Sequence, residues 1–124
     1  MATVLVVDDA KIMRLSVKNM LTELGHEVIA EAETGYKGLK AYEKHLPDFV
    51  TMDITMPGEM GITDGIEAVK EIIDFHPAAK IVMITSHGEQ EKVIRAIKNG
   101  ASNYLLKPIN ITKFEEVISN MLDK

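Results

Sequence analysis

Five polar residues stand where apolar runs end: Asp8 and Asp9 after VLVV, Asp53 after FVTM, Thr85 at the end of KIVMI, and Lys107 after NYLL. Three carboxylates, a hydroxyl and an ammonium form a set suited to a divalent cation and a phosphoryl group. Runs of this kind read as strands, and in an open parallel sheet the ligand site lies beyond the carboxyl ends of the strands. The five residues are therefore predicted to share one pocket.

Ionised carboxylates in one cleft repel each other. A single pair about 4 Å apart costs on the order of 4 kcal/mol at an effective dielectric near 20. Three of them against one ammonium leave two negative charges, which one divalent ion would cancel. All the candidate ligands are oxygens, so Mg²⁺ is the first choice and Mn²⁺ the substitute. A carboxylate beside a metal can attack phosphorus and form an aspartyl phosphate. Asp53 suits that role because it stands alone at the end of its run, whereas the adjacent Asp8 and Asp9 look like a metal-binding pair. Lys107 and the Thr85 hydroxyl would then hold oxygens of the transferring group.

The elements that must position these residues are legible in the patterning. Strands are predicted near Thr3–Val7, Glu27–Ala32, Phe49–Met52, Lys80–Ile84 and Asn103–Leu106. The first, third and fourth are nearly continuous in Val, Ile, Leu and Met rather than alternating, as expected when helices cover both faces of a parallel sheet. Met13, Val17, Met20, Leu21 and Leu24 recur at helical spacing before Gly25, a C-terminal stop. Further helices are expected over Gly35–His45, Gly65–Phe75 and about Glu89–Asn99. The last places Ile111, Phe114, Val117, Ile118, Met121 and Leu122 on one face. Asn110 or Thr112 is its candidate N-cap, and Thr112 with Glu115 also fits a capping box. Five strands alternating with five helices make a doubly wound α/β sheet. The flavodoxin-like order 2-1-3-4-5 is chosen, because it sets the first and third strands side by side and brings Asp8, Asp9 and Asp53 together.

VLVVDDAKIMR, VTMDITMP, VMITS and GASNYLLKP together resemble, in order and at about the right separations, the motifs of bacterial response-regulator receiver domains, especially those of the CheY type. Each motif alone is weak; four in register over the whole chain are specific. The strand order above is partly that family's. The resemblance implies that Asp53 is the phosphoacceptor, that Asp8 and Asp9 bind metal with the Thr55 carbonyl as a backbone ligand, and that Thr85 and Lys107 contact phosphate. It implies a cis bond between Lys107 and Pro108. Tyr104 matches the aromatic that turns inward when the hydroxyl residue moves, although an aromatic at a strand end is ordinarily core packing. Two departures stand out: GEMGIT between Pro57 and Asp64 makes the loop about four residues longer than usual, and Ile109 replaces a frequent aromatic.

With 124 residues the chain is expected to form a single receiver domain, residues 1–124, with no output domain. Cysteine is absent, which excludes disulfides and thiolate metal sites and fits a reducing cytoplasm. No apolar run is long enough to span a bilayer. A net charge of −5 disfavours direct DNA binding. The eight methionines read as core filler. His26, His45 and His76 fall at the end of the sheet away from the carboxylates and are expected to be solvated or to favour helix C-termini. His87, two residues after Thr85, is placed to tune attack of water, or is simply an exposed loop residue.

The expected function is that of a monomeric, stand-alone receiver. It would take a phosphoryl group from a histidine kinase and then alter binding to a downstream protein, a flagellar motor switch or a phosphotransfer protein of a relay. It is not expected to be an enzyme beyond its own phosphoryl transfer and dephosphorylation. The enzyme rival, a haloacid-dehalogenase-type phosphatase, needs a D-x-D pattern after the first strand, and VVDDAK lacks it. A flavodoxin-like nucleotide binder needs a Gly-rich loop there, and DDAKIMR has none.

Overall fold

A computed structural model describes residues 1–123. The elements alternate as β1 (Thr3–Val7), α1 (Lys11–Glu23), β2 (Glu27–Ala32), α2 (Gly35–His45), β3 (Phe49–Asp53), α3 (Gly65–Phe75), β4 (Ile81–Thr85), α4 (Gln90–Lys98), β5 (Asn103–Leu106) and α5 (Ile111–Leu122). The strands pair in parallel in the order β2-β1-β3-β4-β5. That is the predicted topology.

The unbroken apolar strands resolve into two interleaved sets, because successive side chains leave a strand on opposite faces. Val4, Val6, Val82, Ile84 and Leu105 enter one core with Val17 and Leu21 of α1 and Phe114, Val117 and Ile118 of α5. Leu5, Val7, Val50, Met52, Ile81 and Met83 enter the other with Tyr42 of α2, Ile72 of α3 and Val93 and Ala96 of α4. The three central strands are thereby buried on both faces, while the edge strands β2 and β5 keep exposed positions. Among the described residues, no helix is long and apolar enough to cross a membrane.

Element ends differ from expectation by about one residue, with consequences for the site. β3 runs on through Asp53 and β4 through Thr85, so both groups are the last residues of their strands rather than loop residues. Lys80 lies just outside β4, and α4 is one residue shorter at each end than its pattern suggested. The N-cap of α5 is Asn110, whose side chain accepts from Lys113 N at 3.1 Å; Thr112 lies inside the helix, so the alternative capping box is not formed.

The methionines divide. Met52, Met56, Met83 and Met121 are buried, but Met60 is 73% exposed. His26 and His76 are also not simply solvated: His26 Nδ1 accepts from Ala2 N at 3.1 Å and its ring meets Phe49 edge-on, while His76 Nδ1 pairs with the Tyr42 hydroxyl at 2.8 Å. Burial first, then the N-terminal amine, lowers the pKa of His26. His45 lies exposed in the last turn of α2.

The long loop after β3 is a small folded unit. Glu59 and Ile62 exchange both backbone hydrogen bonds at 3.0 Å, with Met60 (φ 53°) and Gly61 (φ 83°) forming the turn between them. Two consecutive left-handed residues characterise a type I′ turn, which usually takes Asn or Gly at the first position rather than Met. Tertiary contacts hold it. Glu59 Oε1 accepts from Thr34 Oγ1 at 2.6 Å, and Ile62, 6% exposed, packs into the α2–α3 core against Gly35.

Candidate phosphoryl and metal site

The site is assembled at the carboxyl edge of β1, β3, β4 and β5. Asp8 follows β1 directly; its amide donates to Ala32 O at 3.0 Å, its Oδ1 accepts from Ala10 N at 2.9 Å, and Arg14 Nη1 donates to its carbonyl at 2.7 Å. Asp9, next in the chain, is exposed. Asp53 is 6% exposed. One carboxylate oxygen from each of Asp8, Asp9 and Asp53 lies within 4.8 Å of the others.

Lys107 completes the cluster. Its Nζ donates to Asp53 Oδ1 at 3.2 Å and stands 3.9 Å from Asp8 Oδ2. Its backbone amide bonds Thr85 O at 2.7 Å, which ties the end of β5 to the end of β4. The Lys107–Pro108 peptide is cis. Burial, with the neighbouring Asp8 charge second, raises the Asp53 pKa from 3.8 to about 6, and Lys107 only partly offsets this. Burial raises Asp8 as well. Three crowded carboxylates that bring oxygens to within 4.8 Å of one another, with a single ammonium beside them, fit a hard divalent cation.

Close approach by α3 shapes the Asp53 end. Gly65 N bonds Ile54 O at 2.8 Å, and a Cβ at Gly65 would collide with the Asp53 carbonyl oxygen. Gly65→Ala is therefore expected to lower stability by about 2–3 kcal/mol and to weaken metal binding at Asp53, because the backbone must part to admit the methyl group. Denaturant melts paired with a Mg²⁺ titration check this; unchanged values in both would contradict it.

Thr85, 2% exposed, has its hydroxyl on Glu89 Oε1 at 3.1 Å, and the Thr55 hydroxyl donates to Glu89 Oε2 at 2.8 Å. Sequence reading missed Glu89, since an acid at a helix start is normally credited to the helix dipole. Arg14 was missed too; nothing in KIMR distinguishes it from a solvated helix residue. Tyr104 is 48% exposed and, with His87, Gln90, Ile94, Ile97 and Leu106, lines an apolar cavity of about 590 Å³ between α4 and β5. Its ring is therefore outside the core. Ile109 is half-buried against the α1–α5 core.

A doubly wound sheet with an acid cluster and a lysine at its carboxyl edge defines a known class. Residues 4–119 match the response regulator receiver domain family, and the chain belongs to it. It is 45% identical over 120 residues to the chemotaxis protein CheY of Bacillus subtilis, covering 97% of both chains. Against CheY of Thermotoga maritima the identity is 43% over 118 residues, 95% of each. Among solved structures, CheY in the CheX–CheY–BeF₃–Mg²⁺ complex from Borrelia burgdorferi superposes with a TM-score of 0.90 at 29% identity, covering 98% of this chain and 90% of that one. The receiver domain of NtrX from Brucella abortus gives 0.89 at 32% identity, covering 98% of each. The protein is a receiver homologous to CheY, of the phospho-accepting kind used in chemotaxis and two-component signalling.

Proposed function

We propose that Asp53 is the phosphoacceptor and that this chain relays a chemotaxis signal by changing its protein partners. An Asp53 carboxylate oxygen attacks phosphorus of a kinase phosphohistidine; the P–O bond forms, the P–N bond breaks, and the imidazole leaves with its electron pair. The observation that carries this reading is the buried Asp53 carboxylate in hydrogen-bond contact with Lys107 and beside Asp8.

Asp8, Asp9 and Asp53, with the Thr55 carbonyl, would hold Mg²⁺, or Mn²⁺ in its place. A bound divalent ion supplies positive charge that offsets the carboxylates and the phosphoryl oxygens. Lys107 shifts its ammonium from Asp53 to a phosphoryl oxygen, and the Thr85 hydroxyl donates to another. Tyr104 then turns from its exposed position into the space Thr85 leaves, reshaping the α4–β5 groove that meets a downstream target such as a motor switch. The protein acts as a cytoplasmic monomer and a messenger rather than as an enzyme. Similarity to chemotaxis CheY proteins over nearly their full length supports the chemotaxis role over that of a phosphorelay intermediate.

Incubation with a small phosphodonor and Mg²⁺, followed by intact mass and peptide mapping, tests the assignment. One phosphoryl group per chain, located on Asp53, is the expected result. Modification elsewhere, or none, would overturn it.

A further inference from the structure

The Thr85 hydroxyl carries one proton, and two acceptors stand within its reach, the Glu89 carboxylate and, slightly farther at 3.3 Å, the Ser86 carbonyl. Thr85 Oγ1 lies 3.1 Å from Glu89 Oε1, which also accepts from Ser86 N at 2.7 Å. Glu89 Oε2 takes the Thr55 hydroxyl at 2.8 Å. One carboxylate thus joins the end of β4, the residue two places after Asp53, and the start of α4. Glu89 occupies the N-cap position of α4, yet its side chain makes no capping bond to that helix and reaches back to the site instead. Hydrogen bonds to an ionised acceptor are stronger than those between neutral groups, so the arrangement resists reorientation of either hydroxyl.

We propose that Glu89 is a positioning residue that holds the receiver in its resting arrangement by occupying the Thr85 and Thr55 hydroxyls, and that a phosphoryl group on Asp53 must compete with it for Thr85. The proposal rests on Asp53 being the phosphoacceptor. When Thr85 donates to a phosphoryl oxygen instead, Glu89 loses a donor and faces new negative charge across the cleft. Both effects push on the first turn of α4, and so on Gln90, Val93 and Ile94 at the wall of the α4–β5 groove. A phosphate contact made at one strand end is in this way converted into movement of a helix.

Beryllofluoride with Mg²⁺, a stand-in for the phosphoryl group, gives a reversible readout by amide chemical shifts. Glu89→Ala is expected to bind it roughly tenfold more tightly than wild type, equivalent to about 1.4 kcal/mol. Glu89→Gln, which keeps the shape and one acceptor, should shift in the same direction by less. In a Thr85→Ala background most of the gain should vanish, because the hydroxyl being contested is gone. Mg²⁺ affinity measured without beryllofluoride should not rise in either Glu89 variant, since removing an anion near the site can only weaken cation binding. Unchanged beryllofluoride affinity, a gain undiminished without the Thr85 hydroxyl, or a parallel rise in Mg²⁺ affinity would each overturn the proposal. If wild type itself fails to bind beryllofluoride with Mg²⁺, the phosphoacceptor reading falls and Glu89's role with it. If wild type binds and the variants match it, only the role of Glu89 falls.

Discussion

Asp53→Asn is expected to abolish phosphoryl uptake and, in the same molecule, to make the metal-free protein more stable at neutral pH. Folding buries Asp53 beside Asp8, and its pKa rises from 3.8 to about 6. Between those two values the folded protein binds more protons than the unfolded chain. Stability therefore falls as pH rises from about 4 to about 6, then levels off. The asparagine variant lacks that loss. Its advantage should be about 1–2 kcal/mol above pH 6, after allowing for solvent screening, and should disappear below pH 4. His26, whose depressed pKa gives a slope of the opposite sign, is common to both proteins and drops out of the difference. Denaturant melts in EDTA across this pH range measure it. Mg²⁺ at ten times its dissociation constant should stabilise wild type by about 1.4 kcal/mol and the variant by less. An asparagine variant less stable in EDTA at pH 7, with the full Mg²⁺ response, would show that Asp53 does not belong to a strained metal site.

Lys107→Ala is expected to act in the reverse sense on the fold and to slow phosphoryl uptake on Asp53 by about two to three orders of magnitude, the usual cost of losing one preorganised donor to a developing charge. The ammonium sits 3.2 Å from Asp53 and 3.9 Å from Asp8, and among the described residues it is the cation in contact with both. Without it two buried carboxylates face each other with only the Ala10 N–H on Asp8 to offset them, at a cost of about 1–3 kcal/mol in EDTA. The deficit should shrink as pH falls, since the acids then neutralise themselves. Single-turnover kinetics with a small phosphodonor measure the rate, and melts measure the stability. A variant that keeps the wild-type rate would remove Lys107 from the transfer chemistry.

Most of this architecture could be read from residue types because local and global signals agree. Continuous apolar strands, the helical spacing of Met13 to Leu24 and Gly25 after the first helix all describe the same layered sheet. The convergence of Asp8, Asp9, Asp53 and Lys107 followed once the strand order was chosen, because each lies at or just after a strand end. What escaped depends on side chains meeting across elements. Glu89 needs the β3–α3 and β4–α4 loops side by side before it can take both threonine hydroxyls. Met60 adopts a left-handed conformation its residue type disfavours, held by Ile62 in the core and Glu59 on Thr34, neither visible as a local signal. For the last helix the two candidate caps were locally equivalent. Asn110 prevails in the structure, with the helix already under way at Ile111 and Phe114 fully buried one turn later.

The turn at Met60 and Gly61 also divides the chemistry of the chain. Every carboxylate of the acid cluster precedes it, whereas the threonine hydroxyl and the ammonium follow it. A protein severed at that exposed turn would yield two fragments, each with part of the constellation and neither with all of it. Their common seam would be the β3–β4 ladder, from Val50 opposite Ile81 to Asp53 opposite Ile84, together with the helices packed across it. Phosphoryl acceptance would then become a reporter of complementation, returning only when the halves reassemble the sheet in register.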